Sequence, residues 1–396
     1  MTGPVALPTT RRCPFDPPPR LGELRAEQPI RPLAYPDGAV GWLVTGYRLV
    51  RTVLADPRFS TRAELKRVPV HRPSTEPFYG RPALPGWFVD MDAPKHTRFR
   101  RLLSSRFGER QIARLRPRIE EIVAGGLDAL AAADRPADLV EMFALPIPSL
   151  VICELLGVPY AERSRFQKNS ITLFSLTASV TETEQALQGL NDHLGDLVRR
   201  RRAKPAGDLL SVMANDSDLA DEEIVGAGVL LLTAGHETVA SMIGLGTFAL
   251  LSHNGQRRKL AEDLSLIDTA VEELLRYLTI FHFGVPRTAL VDIELEGVQI
   301  RVGECLTLSL PAANRDPETF AEPDRLDITR RATGHLAFGY GTHKCIGQSL
   351  ARLQLRIAYP ALIARFPGLR LAVPAADVPM ADDMGFYGVH HLPVTW

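Results

Sequence analysis

The chain has little that would tie it to a surface or to an oxidising compartment. It carries four cysteines in 396 residues, Cys13, Cys153, Cys305 and Cys345, and none makes a C-x-x-C pair. Spacings this wide argue against a disulfide framework and a zinc site, so free thiols are expected. An excess of one charge is also missing, since 46 Lys and Arg balance 46 Asp and Glu. Nucleic-acid and membrane-surface proteins usually need a basic excess, which argues against both. Lysine is scarce, only six of the 46 basic residues, and this reads as compositional bias. The N-terminal "MTGPVALPTTRRCPFDPPPR" has no apolar run for a signal peptide or anchor. The most apolar stretch, "VGAGVLLLTAG", falls short of the roughly 20 residues of a membrane span. Repeats and low-complexity linkers are lacking too. A cytoplasmic protein of one domain, residues 1–396, is expected, with no nucleic-acid or membrane partner.

What is present is mostly helical periodicity. Short β-like runs such as "AVGWLVTG" (39–46) come first. From Pro94 onward helices are expected, the first with Asp92 as N-cap, then over 109–133, 138–156, 160–178, 182–203, 221–251 and 256–277. "VPRTALVDIELEGVQIRVGECLTLSL" alternates apolar and polar residues and breaks at Gly297 and Gly303, which predicts a few strands. A final helix reaches about 366. The fold class is therefore mainly α with small β-sheets.

Chemistry concentrates in a few places. In "HLAFGYGTHKCIGQSLARLQ" (335–354) the glycines Gly339, Gly341 and Gly347 crowd around Cys345, and a helix follows. A thiolate serving an iron needs backbone N–H donors and a helix N-terminus to stabilise its charge. Glycines let the backbone approach a flat cofactor, and Phe338 is placed to cover the sulfur side. A buried cysteine in a glycine turn would read the same. In "LLLTAGHETVASMI" (230–243), Glu237 and Thr238 stand inside an apolar helix of about 30 residues, roughly 45 Å long. Ala234 and Thr238 share a face, and the Thr hydroxyl can bond back to carbonyl 234. Small residues there leave a groove for a diatomic ligand, or serve helix packing. His236, between them, is given no chemistry. Glu273 and Arg276 lie at i and i+3, within ion-pair reach. His96 and Arg100 lie at i and i+4 on one helix face.

The pattern "FGYGTHKCIG" resembles F-G-x-G-x-H-x-C-x-G of the cytochrome P450 family at every defined position. "AGHET" resembles that family's oxygen-activation motif, "EELLR" its E-x-x-R motif, and "MDAPKHTRFRR" (91–101) its propionate-binding segment. The resemblance runs over nearly the whole chain, most of all to soluble bacterial members from actinomycete secondary metabolism. It implies the helix-rich triangular prism and a haem b (iron protoporphyrin IX) held by Cys345. Phe338, Gly339, Gly347 and Ala234 would line the cofactor, and its propionates would meet His96, Arg100, Arg287 and His343. Thr238 would hydrogen-bond dioxygen, and Glu237 would help relay protons. Arg325 of "PDRL", or else Arg315, would complete the Glu273–Arg276 buttress.

The resemblance also implies a monooxygenase. It would insert one atom of O2 into a C–H or C=C bond, with electrons from NAD(P)H through a separate ferredoxin and ferredoxin reductase. Lys344 and Arg101 are candidates for the docking face. By position, the substrate pocket would draw on Trp87, Val89, Phe174, Leu230, Thr233, His282, Phe283, Val285, Phe386 and Tyr387. A hydrophobic secondary metabolite is expected, a macrolide or polyketide first and a terpenoid or steroid second. A haem-thiolate coupling enzyme or peroxygenase, and a non-catalytic gas sensor, are the other readings. A monomer is expected.

Overall fold

The computed structural model describes residues 3–396. Helix dominates, as the periodicity predicts, and the strands gather into small sheets. The frame is built on one helix, Asp221–Ser252, of 32 residues. It is apolar nearly all round, as a helix surrounded by protein should be. Among the helices that pack on it, Pro146–Leu156, Val180–Ala203 and Gln348–Arg365 do so most extensively. Its first turn carries Asp221, Glu222 and Glu223, which suit the positive helix end.

Glycines let this central helix be crossed at close range. A Cβ on Gly226 would lie 1.8 Å from Pro85 O, one on Gly235 2.7 Å from Ile152 Cδ1, and one on Gly246 2.0 Å from the Tyr359 hydroxyl. Tyr359 then donates to Met242 O at 2.5 Å, locking the Gln348–Arg365 helix to the frame. Gly235 is therefore small because the Pro146–Leu156 helix crosses there. By length and composition the central helix is apolar enough to cross a membrane, contrary to the expectation from its most apolar run. However, 67% of that window is buried inside the protein, which is the position of a core helix.

Several expected helices are divided. The stretch 256–277 is two helices, Asn254–Glu262 and Ile267–Leu278, because the Asp263 carboxylate accepts from Ser265 N–H (2.9 Å) and turns the chain. The 138–156 stretch is a π-helical turn, Val140–Ala144, followed by a helix starting at Pro146. The 109–133 stretch divides into Glu109–Ala113 and Arg116–Ala132, with Pro117 in the first turn of the second. Proline suits the first turn of a helix, where its missing N–H has no partner to lose. Asp92 does not cap its helix, Lys95–Ser104, whose cap position is Pro94. Its carboxylate instead accepts from Ser60 Oγ (2.5 Å) and Thr61 N–H (2.9 Å), tying the helix start to the sheet.

The main sheet runs in the order Ile30–Ala34, Val40–Val44, Cys305–Leu308, Val285–Ala289, Phe59–Ser60. Its one parallel pair joins Val40–Val44 to Cys305–Leu308, so segments over 260 residues apart in sequence share a register. Arg287 sits on this sheet opposite Leu306. Ile293–Leu295 and Val298–Ile300 form a hairpin whose turn residues Glu296 and Gly297 have φ of 46° and 78°. Two positive φ values are what a tight twisted hairpin demands.

Candidate active site

Cys345 follows a short 3-10 turn, Gly341–His343, and precedes the Gln348–Arg365 helix. Its N–H donates to Phe338 O (2.9 Å), fixing the loop. Backbone N–H groups of Gly347 and Gln348, at the helix start, point to its sulfur. Burial pushes the thiol pKa up, and those N–H groups with Arg100 and Arg352 oppose it. The residue lies deep, yet its surface is accessible. The three glycines have different reasons. Gly339 (φ 67°) supplies a left-handed turn with open space around its Cβ position. Gly341 (φ 73°) lies against the Leu54 carbonyl, where a Cβ would sit 2.5 Å from the oxygen. Gly347 leaves room beside Cys345 Sγ. Phe338 is covered on one face by the Arg352 guanidinium, 4.5 Å from its ring centre.

Two arginines and two histidines converge near this loop from three elements. His96 and Arg100 come from the Lys95–Ser104 helix, Arg287 from the sheet and His343 from the turn before Cys345. The rings of His96 and His343 stack at 3.9 Å, and Thr61 Oγ1 lies 3.3 Å from His343 Nε2. Burial, then the charges of Arg100 and Arg287, push His96 down to about 4. Burial, then His96 and Arg287, push His343 down to about 2. Arg287 is pushed down to about 10 by burial, although Asp92 and Asp90 oppose this. Histidines held this low are neutral near pH 7 and serve as hydrogen-bond donors, while the buried charges of Arg100 and Arg287 favour an anion with more than one charge.

On the central helix, Thr238 Oγ1 donates back to Ala234 O at 2.9 Å, the bond that the spacing predicts. Ala234 is exposed and Glu237 and Thr238 are half-buried. His236 is fully buried and contacts Glu237.

The buttress is built from a different arginine than expected. Glu273 and Arg276 are both fully buried and paired through two bonds, Nε to Oε2 (2.8 Å) and Nη2 to Oε1 (2.9 Å). Arg276 Nη1 also donates to Asn314 O and Pro323 O. Arg330 completes the group, with Nε 3.1 Å from Glu273 Oε1. Arg325 lies on the surface and pairs with Glu322. Arg315 is buried, but it bonds Tyr277 O, Asp16 and Asp324 and not Glu273. The neighbouring Glu272, not picked out by the sequence reading, accepts from Arg352 (2.6 and 2.8 Å) and His335 (3.1 Å). Burial would raise its pKa, but these bonds hold it down at about 2. The consecutive carboxylates thus divide their work. Glu273 fixes the segment leading toward the cysteine loop, and Glu272 fixes the arginine on Phe338.

The expected pocket residues do not all gather. Phe386 lies between Phe174 (4.7 Å) and Phe281 (4.9 Å), and Phe281 is the member the sequence reading missed. Trp87 is half-buried against Phe78 and Val89 is exposed. Leu230 shares the helix face of Ala234, and Val285 is half-buried at the start of its strand. Four residues turn elsewhere. Thr233 is 1% exposed and bonds back to Val229 O. Phe283 packs with Leu7, Tyr35 and Leu43, under the N-terminal segment. The buried Tyr387 ring lies under the Arg11 guanidinium at 3.7 Å. His282 Nε2 donates to Met384 O (2.9 Å). Gly284 (φ 76°) reverses the chain here and defeats a two-residue alternation.

Burial pushes His282 down to about 3, and this predicts acid sensitivity. Its folded pKa lies below its unfolded value of about 6.5, so the unfolded chain takes up the proton first as pH falls. The stability is full above about 6.5 and is lost progressively toward about 3. Between pH 7.5 and 5 the wild type is expected to lose about 2 kcal/mol more than His282→Gln, measured by urea unfolding at both pH values.

An accessible thiol held by backbone N–H groups, beside two buried arginines and two histidines that can donate hydrogen bonds, fits a haem with its two propionates. Comparison with known proteins agrees. The family model "Cytochrome P450" matches residues 165–385. The chain is 45% identical to cytochrome P450 105C1 of a Streptomyces species, covering 99% of each. It is 41% identical to the vitamin D3 dihydroxylase of Streptomyces griseolus, covering 99% of this chain and 97% of that one. The crystal structure of CYP105P1 in complex with filipin I superimposes with a TM-score of 0.93 at 43% identity, over 100% of this chain and 99% of that one.

Proposed function

Since the chain belongs to the cytochrome P450 family and is one of its monooxygenases, we propose that it oxidises a hydrophobic secondary metabolite at a C–H or C=C bond. The observation that carries this reading is the meeting of the Cys345 loop with His96, Arg100, Arg287 and His343. Haem, when bound, supplies the chemistry that activates dioxygen. Cys345 would hold its iron, and His96, Arg100, Arg287 and His343 would hold its propionates. Phe338, Gly339, Gly347 and Ala234 lie along its faces. Thr238 and Glu237 move protons on the oxygen side. Arg101 is exposed and Lys344 half-exposed, and they contribute to a docking face for a ferredoxin. That ferredoxin, with its reductase, brings electrons from NAD(P)H to a cytoplasmic, single-domain monomer.

Trp87, Leu230, Val285 and the group Phe174, Phe281 and Phe386 place the substrate. A macrolide or related polyketide is the proposed class, supported by relatives that act on macrolides and other secondary metabolites and by the solved relative that holds filipin I. A terpenoid or steroid is the second class, favoured by similarity to the vitamin D3 dihydroxylase. Substrate that displaces the iron's water ligand shifts the Soret band, so titrating macrolide and terpenoid panels tests the choice. Binding only by terpenoids or steroids would overturn the first class.

Thr238 and Glu237 favour the dioxygen route over a peroxygenase or coupling route. Thr238→Ala is expected to cut product per NAD(P)H roughly tenfold or more and to release peroxide instead. Unchanged coupling would argue for a route that does not need the hydroxyl.

A further inference from the structure

The residue before Glu237 has no role in the reading above, and the structure gives it an unusual position. His236 is fully buried, and its ring meets Phe166 edge-on at 5.5 Å. Nδ1 lies 2.7 Å from Leu232 O. A carbonyl only accepts, so Nδ1 carries the hydrogen. The remaining nitrogen, Nε2, lies 3.1 Å from Glu237 Oε1. Both atoms are buried, and neither has a well-aligned hydrogen bond among the described residues. Consecutive helix residues do not face each other, so the Glu237 side chain has to lean round the helix to make this contact. Thr238, meanwhile, donates its hydroxyl to Ala234 O.

A bare Nε2 and an ionised carboxylate oxygen are both acceptors. At 3.1 Å in a dry interior they repel, and each is left with its desolvation cost. One proton between them changes the contact into a hydrogen bond whichever atom holds it, a charge-assisted one when Nε2 does. A small rotation of the carboxyl group is enough to align it.

We propose that His236 is a positioning residue for Glu237, and that its Nε2 and Glu237 Oε1 share one proton held in reserve beside Thr238. This rests on the reading that Glu237 and Thr238 deliver protons. A proton given up from Glu237 toward Thr238 is the shared one. His236 keeps its Nδ1 hydrogen throughout, and the Nε2–Oε1 gap is refilled from water through Glu237, whose side chain is 15% exposed. Without His236 the carboxyl group keeps its chemistry but loses the partner that holds it in place.

The first test needs no turnover. Holoenzyme labelled with 15N-histidine is examined by NMR in its diamagnetic ferrous carbon monoxide form, with His236→Phe identifying the signals. In the wild type, Nε2 is expected to show a protonated or strongly hydrogen-bonded shift. Glu237→Gln is expected to return it to that of a bare nitrogen while Nδ1–H is unchanged. An Nε2 shift identical in the two proteins would overturn the proposal.

The second test is coupling, using the compound that gives the largest Soret shift. His236→Phe preserves the edge contact with Phe166, and is expected to cut product per NAD(P)H roughly tenfold with substrate binding unchanged. His236→Gln restores a donor to Oε1 and is expected to recover part of the loss. If Glu237→Gln and Thr238→Ala uncouple the enzyme and His236→Phe does not, His236 has no such role. If none of the three uncouples it, the proton-delivery reading itself fails, while the NMR result still decides whether the proton is shared. Should His236→Phe not fold, His236→Gln and the Glu237→Gln comparison carry both tests.

Discussion

Cys345→Ala is expected to yield a folded protein without the red-shifted Soret band that a thiolate gives the reduced carbon monoxide complex. Monooxygenation should fall at least about 1,000-fold, or about 4 kcal/mol of transition-state stabilisation. The fold should survive because the loop is fixed by its backbone and its neighbours. The 345 N–H still donates to Phe338 O, and Gly341 still packs on Leu54. Arg352 remains tied to Glu272 whether or not the sulfur is present. The loss would therefore be electronic, since a cysteine thiolate on haem iron supplies the electron density that favours O–O cleavage in this family. His96, Arg100, Arg287 and His343 remain, so the variant should still take up haem more weakly and with a different spectrum. A variant whose spectrum kept the thiolate band would show that another residue ligates the iron.

How much of this was legible without coordinates depends on the range of each interaction. Thr238 and Ala234 could be paired from spacing because a back-bond spans four residues, and the hydrogen bond is there. His96 and Arg100 share a face for the same reason. Interactions between distant segments were harder. Gly341 reads as a glycine for cofactor approach, but its reason is the Leu54 carbonyl, nearly 290 residues earlier. Position along the family pattern includes Tyr387 and omits Phe281, because it does not register how the turn at Gly284 (φ 76°) redirects neighbouring side chains. A short proline-bearing motif points to Arg325, with Arg315 as the fallback, and says nothing of Arg330. The irregular 323–332 segment folds so that the later arginine, and the Asp327 N–H with it, reaches Glu273. His236 could be placed on the helix from sequence, but its unpartnered Nε2 depends on what surrounds it.

That difference between Arg325 and Arg330 sets up the other large effect. Arg276→Leu should destabilise the protein by about 3–5 kcal/mol, because it strands a fully buried carboxylate that keeps only Arg330 as a charged partner. It also removes donors from Asn314 O and Pro323 O, at the start of the segment that leads to the cysteine loop. Domains are typically stable by only about 5–15 kcal/mol, so much of the chain should fail to fold or to hold haem. Arg330→Gln removes one charged bond to Glu273 and leaves the bidentate pair intact, and about 1–3 kcal/mol is expected. Arg325→Gln breaks a surface pair with Glu322 and should stay within about 0.5 kcal/mol of wild type. Urea midpoints and haem content of the three variants give the ranking. If Arg325→Gln proved the costlier of the two loop variants, the buttress would be built as the short motif suggests and not as the Glu273 contacts place it. If Arg276→Leu cost no more than a surface substitution, the buried pair would be replaceable by apolar packing, as some buried ion pairs are. The buried Asn314 carbonyl that Arg276 caps argues against that outcome, because leucine offers it no donor.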